Sequence, residues 1–413
     1  MEPMRRVAVT GLGVVSPLGN SPAAAFASAR AGRSGIHRLE APYAHRLAGP
    51  LAATADFDGT PYFEPLKLRM LDRVSQMAVQ AANEALAAAH LDLVRADRRR
   101  IGVFLGTGMG GSQTSDDGYR TLYGDQSDRI KPFTVLMGMH NAPAAWIGME
   151  HDLRGPNLTY STACSSSAVA IGEGSMRIAH GELDVAIAGG AEAPLSLGSL
   201  KAWEALRTLA AIDADDPSAS CKPFSGNRSG MVLGEGAAML VLEDRNRAVA
   251  RGATIWGEIA GYGFANDTSH ITRPSAEGQA AAMAAALESA ALDPDAIDAI
   301  NAHGTGTQAN DGVETAAIKA VFGPRANRIP ISATKALHGH LLGAAGALEC
   351  LLALLAMRHE VALPTMHLHV ADPGCDLDYV PNRARDGVAA RTTLSSSFAF
   401  GGANAALVLR AAA

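Results

Sequence analysis

The chain has 413 residues, enough for two ordinary domains or one large duplicated one, and its 48% hydrophobic content supplies a buried core without disulfide staples. A formal net charge of −6 gives no general attraction to nucleic acid, so no DNA or RNA partner is expected. Four cysteines (Cys164, Cys221, Cys350, Cys375) without CxxC spacing exclude a disulfide framework and suit a reducing cytoplasm.

The first apolar run, RRVAVTGLG (5–13), is short and broken by Gly11 and Gly13, so it reads as a strand and turn, not a secretory signal. An Ala-rich helical stretch, AVQAANEALAAAHLD (78–92), then leads to the strand IGVFLGTG (101–108). Next come the strand-like LTYST, the dipeptide Ala163-Cys164 and the helical run SSSAVAIGEGSMRIAH (165–180). Two further strands follow, LDVAIAGGA (183–191) and AAMLVLE (237–243). At TIWGEIAGYG (254–263) the pattern starts again: QAAAMAAALESAALD (279–293) leads to DAINAHGTGT (298–307), again helix, Leu-Asp, strand, Gly-Thr-Gly. The chain therefore reads as a duplication, 1–253 and 254–413, of layered α/β architecture. The first half is longer, and its insertions at 16–75 and 109–150 are expected to form loops and partner-facing surface. The segment LLGAAGALECLLALLAM (341–357) carries Glu349 and falls short of the ~20 apolar residues a membrane span requires, so it reads as a buried helix.

Cys164 stands where a strand gives way to a helix, and the free N–H groups of a helix start favour thiolate over thiol. Its small neighbours leave room for a sharp turn and an approaching carbonyl. A lone cysteine would more commonly be a small buried hydrophobe; its companions argue otherwise. His303 in NAHGTGT and His340 in KALHGHLLGAAG lie in glycine-rich turns, and two imidazoles beside a thiol suit a reaction that develops an oxyanion at a second substrate. Lys335 is close enough in sequence to His340 to orient or polarise the pair. The glycine cluster SFAFGGANAA (397–406) offers backbone N–H groups near Phe400.

With RRVAVTGLGVVSPLGN, GPNLTYSTACSSS, VAIAGGAE, GEGAAMLVLE, NAHGTGT, GHLLGAAGALE and FAFGGANAALVL all present, nearly the whole chain resembles the elongating type II β-ketoacyl-acyl-carrier-protein synthases. The resemblance implies a five-layered αβαβα thiolase-like fold, duplicated and paired into a dimer. It implies that Cys164 accepts an acyl group, that His303 and His340 stabilise the enolate formed when malonyl carrier protein loses CO2, and that a 3-ketoacyl thioester results. It assigns the oxyanion hole to the N–H groups of Cys164 and Phe400, with Phe400 as a gate. Thr305 and Thr307 match positions that hold the pantetheine arm, and Asp311, Glu314 and Glu349 match supporting acidic residues. Met109 matches the pocket-dividing position, and Thr134 stands where a phenylalanine of the neighbouring subunit often closes the acyl tunnel. Lys67, Arg69 and Arg207 match a patch that docks the acidic acyl carrier protein. No cofactor or metal is implied, since 4'-phosphopantetheine arrives on the carrier protein; the HLH pair His367 and His369 lacks a third ligand at suitable spacing. His338 matches no catalytic position.

Asn227 and Ser229 stand where housekeeping members show an acidic segment, and Gly306 where they often have Ser, which brings the sequence closer to nodulation-type and specialised polyene or polyketide ketosynthases. A non-catalytic chain-length-factor role is the alternative, disfavoured because Cys164, His303 and His340 are all intact. Either a homodimer or a heterodimer with such a factor is compatible with this reading. A dehydrogenase would need an acidic residue about 20 residues after VAVTGLGVVS, where RAGRSGI stands. A thiolase would need a second cysteine where FAFGGANA stands.

Overall fold

The structure is a computed structural model that describes residues 4–412. Ten strands form the sheet: β1 (Val7–Val15), β2 (Ile101–Gly106), β3 (Asn157–Tyr160), β4 (Val185–Glu192), β5 (Gly236–Asp244), β6 (Gly257–Asn266), β7 (Ala299–Asn301), β8 (Ile331–Ser332), β9 (Thr392–Ser397) and β10 (Ala403–Ala411). Their spatial order is β8-β7-β9-β10-β6-β1-β5-β4-β2-β3. Outward from the centre, β1-β5-β4-β2-β3 and β6-β10-β9-β7-β8 repeat one pattern: two antiparallel pairings, then two parallel ones. The halves join where β1 runs antiparallel to β6, from Val7↔Ile259 to Val9↔Gly257.

Seven helices matter for the site: α1 (Arg73–Ala89), α2 (Ala142–Glu150), α3 (Ser166–Ala179), α4 (Leu197–Leu206), α5 (Ala276–Ser289), α6 (Asp311–Phe322) and α7 (Ala345–Arg358). Successive strand side chains point to opposite faces, and that alternation sorts the core into layers. Ala186 and Ala188 of β4, Leu240 and Leu242 of β5, and Leu407 and Leu409 of β10 pack on α3 and α7 between the two halves. Val185, Ile187, Met239 and Val241 face the opposite way, onto α1 and α2. Ala406 and Val408 face α5 and α6. The result is the five-layered thiolase-like arrangement, helices, sheet, helices, sheet, helices. Among the described residues no helix is long and apolar enough to cross a membrane, and the apolar run around Glu349 is the buried central helix α7.

The insertion after β2 is the least buried part of the fold. Tyr119, Tyr123, Ile130, Phe133, Val135, Leu136 and Met139 are all exposed, and beside them β3 is the last strand of the sheet, its Leu158 exposed too.

Candidate active site

Cys164 sits at the middle of a short 3-10 turn, Ala163–Ser165, which runs straight into α3. Ala163 takes a left-handed backbone, φ 50°, a conformation that costs an L-residue roughly 1–2 kcal/mol. The crowd of hydroxyls around the thiol holds this elbow. Ser165 Oγ donates to the Thr162 carbonyl at 2.9 Å, Ser166 Oγ donates to the Ala163 carbonyl at 2.6 Å, and the Thr162 N–H donates to Ser166 Oγ at 2.9 Å.

The second half of the chain delivers the imidazoles. His303 follows β7 and His340 follows the turn after Lys335; both are buried, with ring centroids 5.4 Å apart and planes nearly perpendicular. Ligand atoms of Cys164, His303 and His340 all lie within 4.8 Å of one another. The hydrogen bonds fix what the rings can do. The Leu342 N–H donates to His340 Nδ1 at 3.2 Å, so in a neutral ring the proton is on Nε2, which has no protein partner among the described residues. Lys335 Nζ lies 3.4 Å from His303 Nδ1, and an ammonium can only donate, so His303 also carries its proton on Nε2. Both rings are neutral: burial, then the Lys335 charge, hold their pKa values well below the ordinary histidine range. A metal-binding imidazole instead donates from its second nitrogen to an acceptor. This pair has both Nδ1 atoms occupied by donors, an arrangement for an oxyanion rather than a cation.

Buried carboxylates hold the histidines from behind. Glu314 accepts from the N–H groups of His303 at 2.7 Å and Gly304 at 2.9 Å, and Glu349 pairs with Lys335, whose Nζ also donates to the His303 carbonyl at 2.6 Å. Asp311 accepts from the Phe224 N–H at 2.7 Å and the Gly306 N–H at 3.3 Å. Burial pushes Glu314 and Glu349 up to about 7. His338 is a structural neighbour, its Nε2 3.0 Å from Thr334 Oγ1.

The expectation of a thiolate at Cys164 needs correction. Burial pushes the thiol up to about 12, against the pull of the Lys335 charge and the Phe400 N–H, so the resting group is a thiol. The helix start is present, but the surrounding apolar cluster of Leu195, Met231, Leu342, Met109 and Trp203 removes the water an anion would need.

A cleft of about 530 Å³, open at its mouth, leads to these groups. Cys164, His303 and His340 lie along it with Phe398 and Phe400, and Thr305 and Thr307 line its wall, their hydroxyls 2.9 Å apart. Phe400 stacks on Trp203 of α4, centroids 6.1 Å apart. Asp267 and residues 270–274 also line the cleft, and the Ile271 carbonyl accepts from the Gly401 N–H at 2.8 Å. Neither Trp203 nor this loop is marked in the sequence: Trp203 carries no catalytic group, and His270 stands on the loop outside any glycine-rich turn of the kind that flags His303 and His340.

Four predicted residues stand elsewhere. Thr134 lies on the exposed insertion, lining a surface hollow with Arg120, Arg129 and Lys131, so a single chain does not bring it to Cys164. Arg69 and Arg207 are exposed. Lys67 is not free: it pairs with Glu150 and lies over the Phe63 and Trp146 rings.

Within the thiolase-like fold, a helix-opening thiol facing two proton-bearing imidazoles defines a condensing acyltransferase. The sequence comparisons then narrow the class, and the chain belongs to the β-ketoacyl synthase family: residues 4–248 match the N-terminal domain of that family and residues 256–369 its C-terminal domain. It is 40% identical over 411 residues to 3-oxoacyl-[acyl-carrier-protein] synthase 2 of Coxiella burnetii, covering 98% of each chain. It is 42% identical over 406 residues to nodulation protein E of Rhizobium meliloti, covering 98% of this chain and 99% of the relative. Among solved structures, the ishigamide ketosynthase/chain length factor superposes with a TM-score of 0.93 at 33% identity, covering 99% of this chain and all of that one.

Proposed function

We propose that this protein is a β-ketoacyl-acyl-carrier-protein synthase in which Cys164 carries the acyl chain and His303 and His340 hold the malonyl-derived enolate. The observation that supports this most directly is the meeting of one thiol with two neutral imidazoles whose Nδ1 atoms are both engaged by donors. In the first half-reaction Cys164 Sγ attacks the acyl thioester carbonyl, the carbon–sulfur bond to the carrier breaks, and the thiol proton ends on the departing pantetheine sulfur. In the second, the bond to the malonyl carboxylate breaks, CO2 leaves, and its electron pair forms an enolate whose oxygen accepts from the two Nε2–H groups. The enolate carbon attacks the acyl-Cys164 carbonyl, with its oxyanion facing the N–H groups of Cys164 and Phe400. Collapse expels the Cys164 thiolate, which takes a proton from solvent to restore the thiol, and leaves a 3-ketoacyl thioester two carbons longer. Thr305 and Thr307 guide the pantetheine arm, Lys335, Asp311, Glu314 and Glu349 support the histidines, and 4'-phosphopantetheine comes with the substrate.

We assign the partners as an acyl carrier protein, docked through Arg69 and Arg207, and a second synthase-fold subunit. The exposed apolar insertion beside the open edge of β3 supports pairing with another such chain, identical or chain-length-factor-like, which would bring a Thr134-equivalent residue to each tunnel. We place the seam of the duplication at 253/254 and the protein in the cytoplasm.

Intact-protein mass spectrometry tests the reading. Incubation with acyl carrier thioesters is expected to add an acyl mass that malonyl carrier protein discharges and that Cys164→Ala abolishes; an adduct that survives in Cys164→Ala would refute the assignment.

A further inference from the structure

Glu192 ends β4 as a fully buried carboxylate in an otherwise apolar strand, and it is surrounded by donors. Its Oε1 accepts from the Met109 N–H at 3.0 Å and Thr107 Oγ1 at 3.2 Å. Its Oε2 accepts from the Gly108 N–H at 2.6 Å and the Gly343 N–H at 2.9 Å. Oε1 thus holds only the loop after β2, whereas Oε2 joins that loop to the turn three residues beyond His340. Those two backbones pass so closely that a Cβ on Gly343 would lie 2.3 Å from the Gly108 nitrogen. Met109, whose N–H the carboxylate holds, and Leu342, the neighbour of Gly343, pack in the same apolar cluster as Cys164.

We propose that Glu192 is a positioning residue for acyl-chain selection: Oε1 sets the Met109 wall of the acyl site, and Oε2 locks that wall to the turn that carries His340. This rests on the synthase reading above. Because every partner can donate, only an acceptor on each oxygen satisfies the site. A glutamine must turn one amino group toward donors. Facing Gly108 and Gly343 it would oppose two fixed N–H groups; facing Thr107 and Met109 it opposes one, since the Thr107 hydroxyl can rotate to accept. Glu192→Gln therefore keeps the link between the halves and releases Met109.

The experiment separates the two half-reactions. Loading of Cys164 from hexanoyl to dodecanoyl carrier thioesters is followed by intact mass, and discharge of preformed acyl-enzyme by malonyl carrier protein is followed in a single turnover. For Glu192→Gln the ratio of long-chain to short-chain loading rates is expected to shift by about tenfold, the size of one lost hydrogen bond, while discharge stays within about threefold of the parent. Thr107→Val, which removes one Oε1 donor without touching Oε2, is expected to shift the same ratio in the same direction, and decides the matter alone if Glu192→Gln does not fold. An unchanged loading ratio, or equal losses in both half-reactions, overturns the proposal. A parent enzyme that loads no acyl chain, either alone or paired with a chain-length-factor-like subunit, overturns the synthase reading, and the proposal with it.

Discussion

Lys335 Nζ lies 3.4 Å from His303 Nδ1 and 2.6 Å from the His303 carbonyl oxygen, and its third direction is taken by Glu349. One buried ammonium therefore sets both the tautomer and the placement of the ring proposed to bind the enolate. Lys335→Met is expected to slow condensation by about 10²–10³-fold, as loss of an oxyanion donor does. It should also destabilise the fold by about 3–5 kcal/mol, because Glu349 is left buried and unpaired. Adding Glu349→Gln removes the orphaned charge, so the double variant should regain much of the thermal stability without regaining rate. Melting curves read against single-turnover condensation check this; a double variant that recovers rate would show that Lys335 acts only on stability.

Cys164 gives a pH dependence with a definite sign. A thiol raised to about 12 is almost wholly protonated at neutral pH, and its thiolate fraction climbs about tenfold per pH unit until that value is approached. Alkylation by iodoacetamide should accordingly keep rising from pH 7 to pH 10. A plateau below pH 9 would mean that the start of α3 outweighs burial.

The duplication was legible because each half repeats a helix, a Leu-Asp break, a strand and a Gly-Thr-Gly turn, a local pattern that survives in the strand order of both half-sheets. Cys164, His303 and His340 were legible as chemistry because few other roles explain that combination in small-residue turns. What sequence could not give were pairings made across the fold. Lys67 reads as a docking cation, and its ion pair with Glu150, 83 residues away, is a contact the sequence does not display. The thiolate expectation came from a true local rule at a helix start, overruled by a cluster assembled from both halves. Glu192 was in view within VAIAGGAE, and a lone carboxylate ending an apolar strand is itself a signal that donors must converge there. Which donors, 83 to 151 residues distant, only the fold supplies.

The stack of Phe400 on Trp203 holds the proposed gate residue against α4. Such a pair contributes about 0.5–1.5 kcal/mol beyond simple burial, enough to change an open-to-closed ratio by up to about tenfold. Trp203→Leu keeps an apolar side chain against the cluster while releasing the ring, so hydrolysis of the acyl-enzyme without malonyl carrier protein is expected to rise severalfold. Decay of the acyl adduct by mass spectrometry reads this directly, and an unchanged decay rate would mean that the stack does not restrain the gate.

Arg207 and Lys67 share a charge but not a setting, and their variants should separate. Arg207 caps the C-terminal end of α4 in a left-handed backbone, φ 58°, with its side chain in solvent. A rim charge of this kind acts mainly on encounter with an acidic partner. Arg207→Glu is expected to raise the KM for carrier-protein substrates by about tenfold at low salt, and raising the ionic strength should shrink the difference as the Debye length contracts. Lys67→Ala, by contrast, removes a stem packed against Phe63 and Trp146 together with the partner of Glu150. Its expected signature is a lower melting temperature with KM little changed, because the ammonium is already occupied within the chain. Steady-state kinetics at two salt concentrations beside a thermal melt would distinguish the two, and a salt-sensitive rise in KM for Lys67→Ala would return that residue to the docking surface.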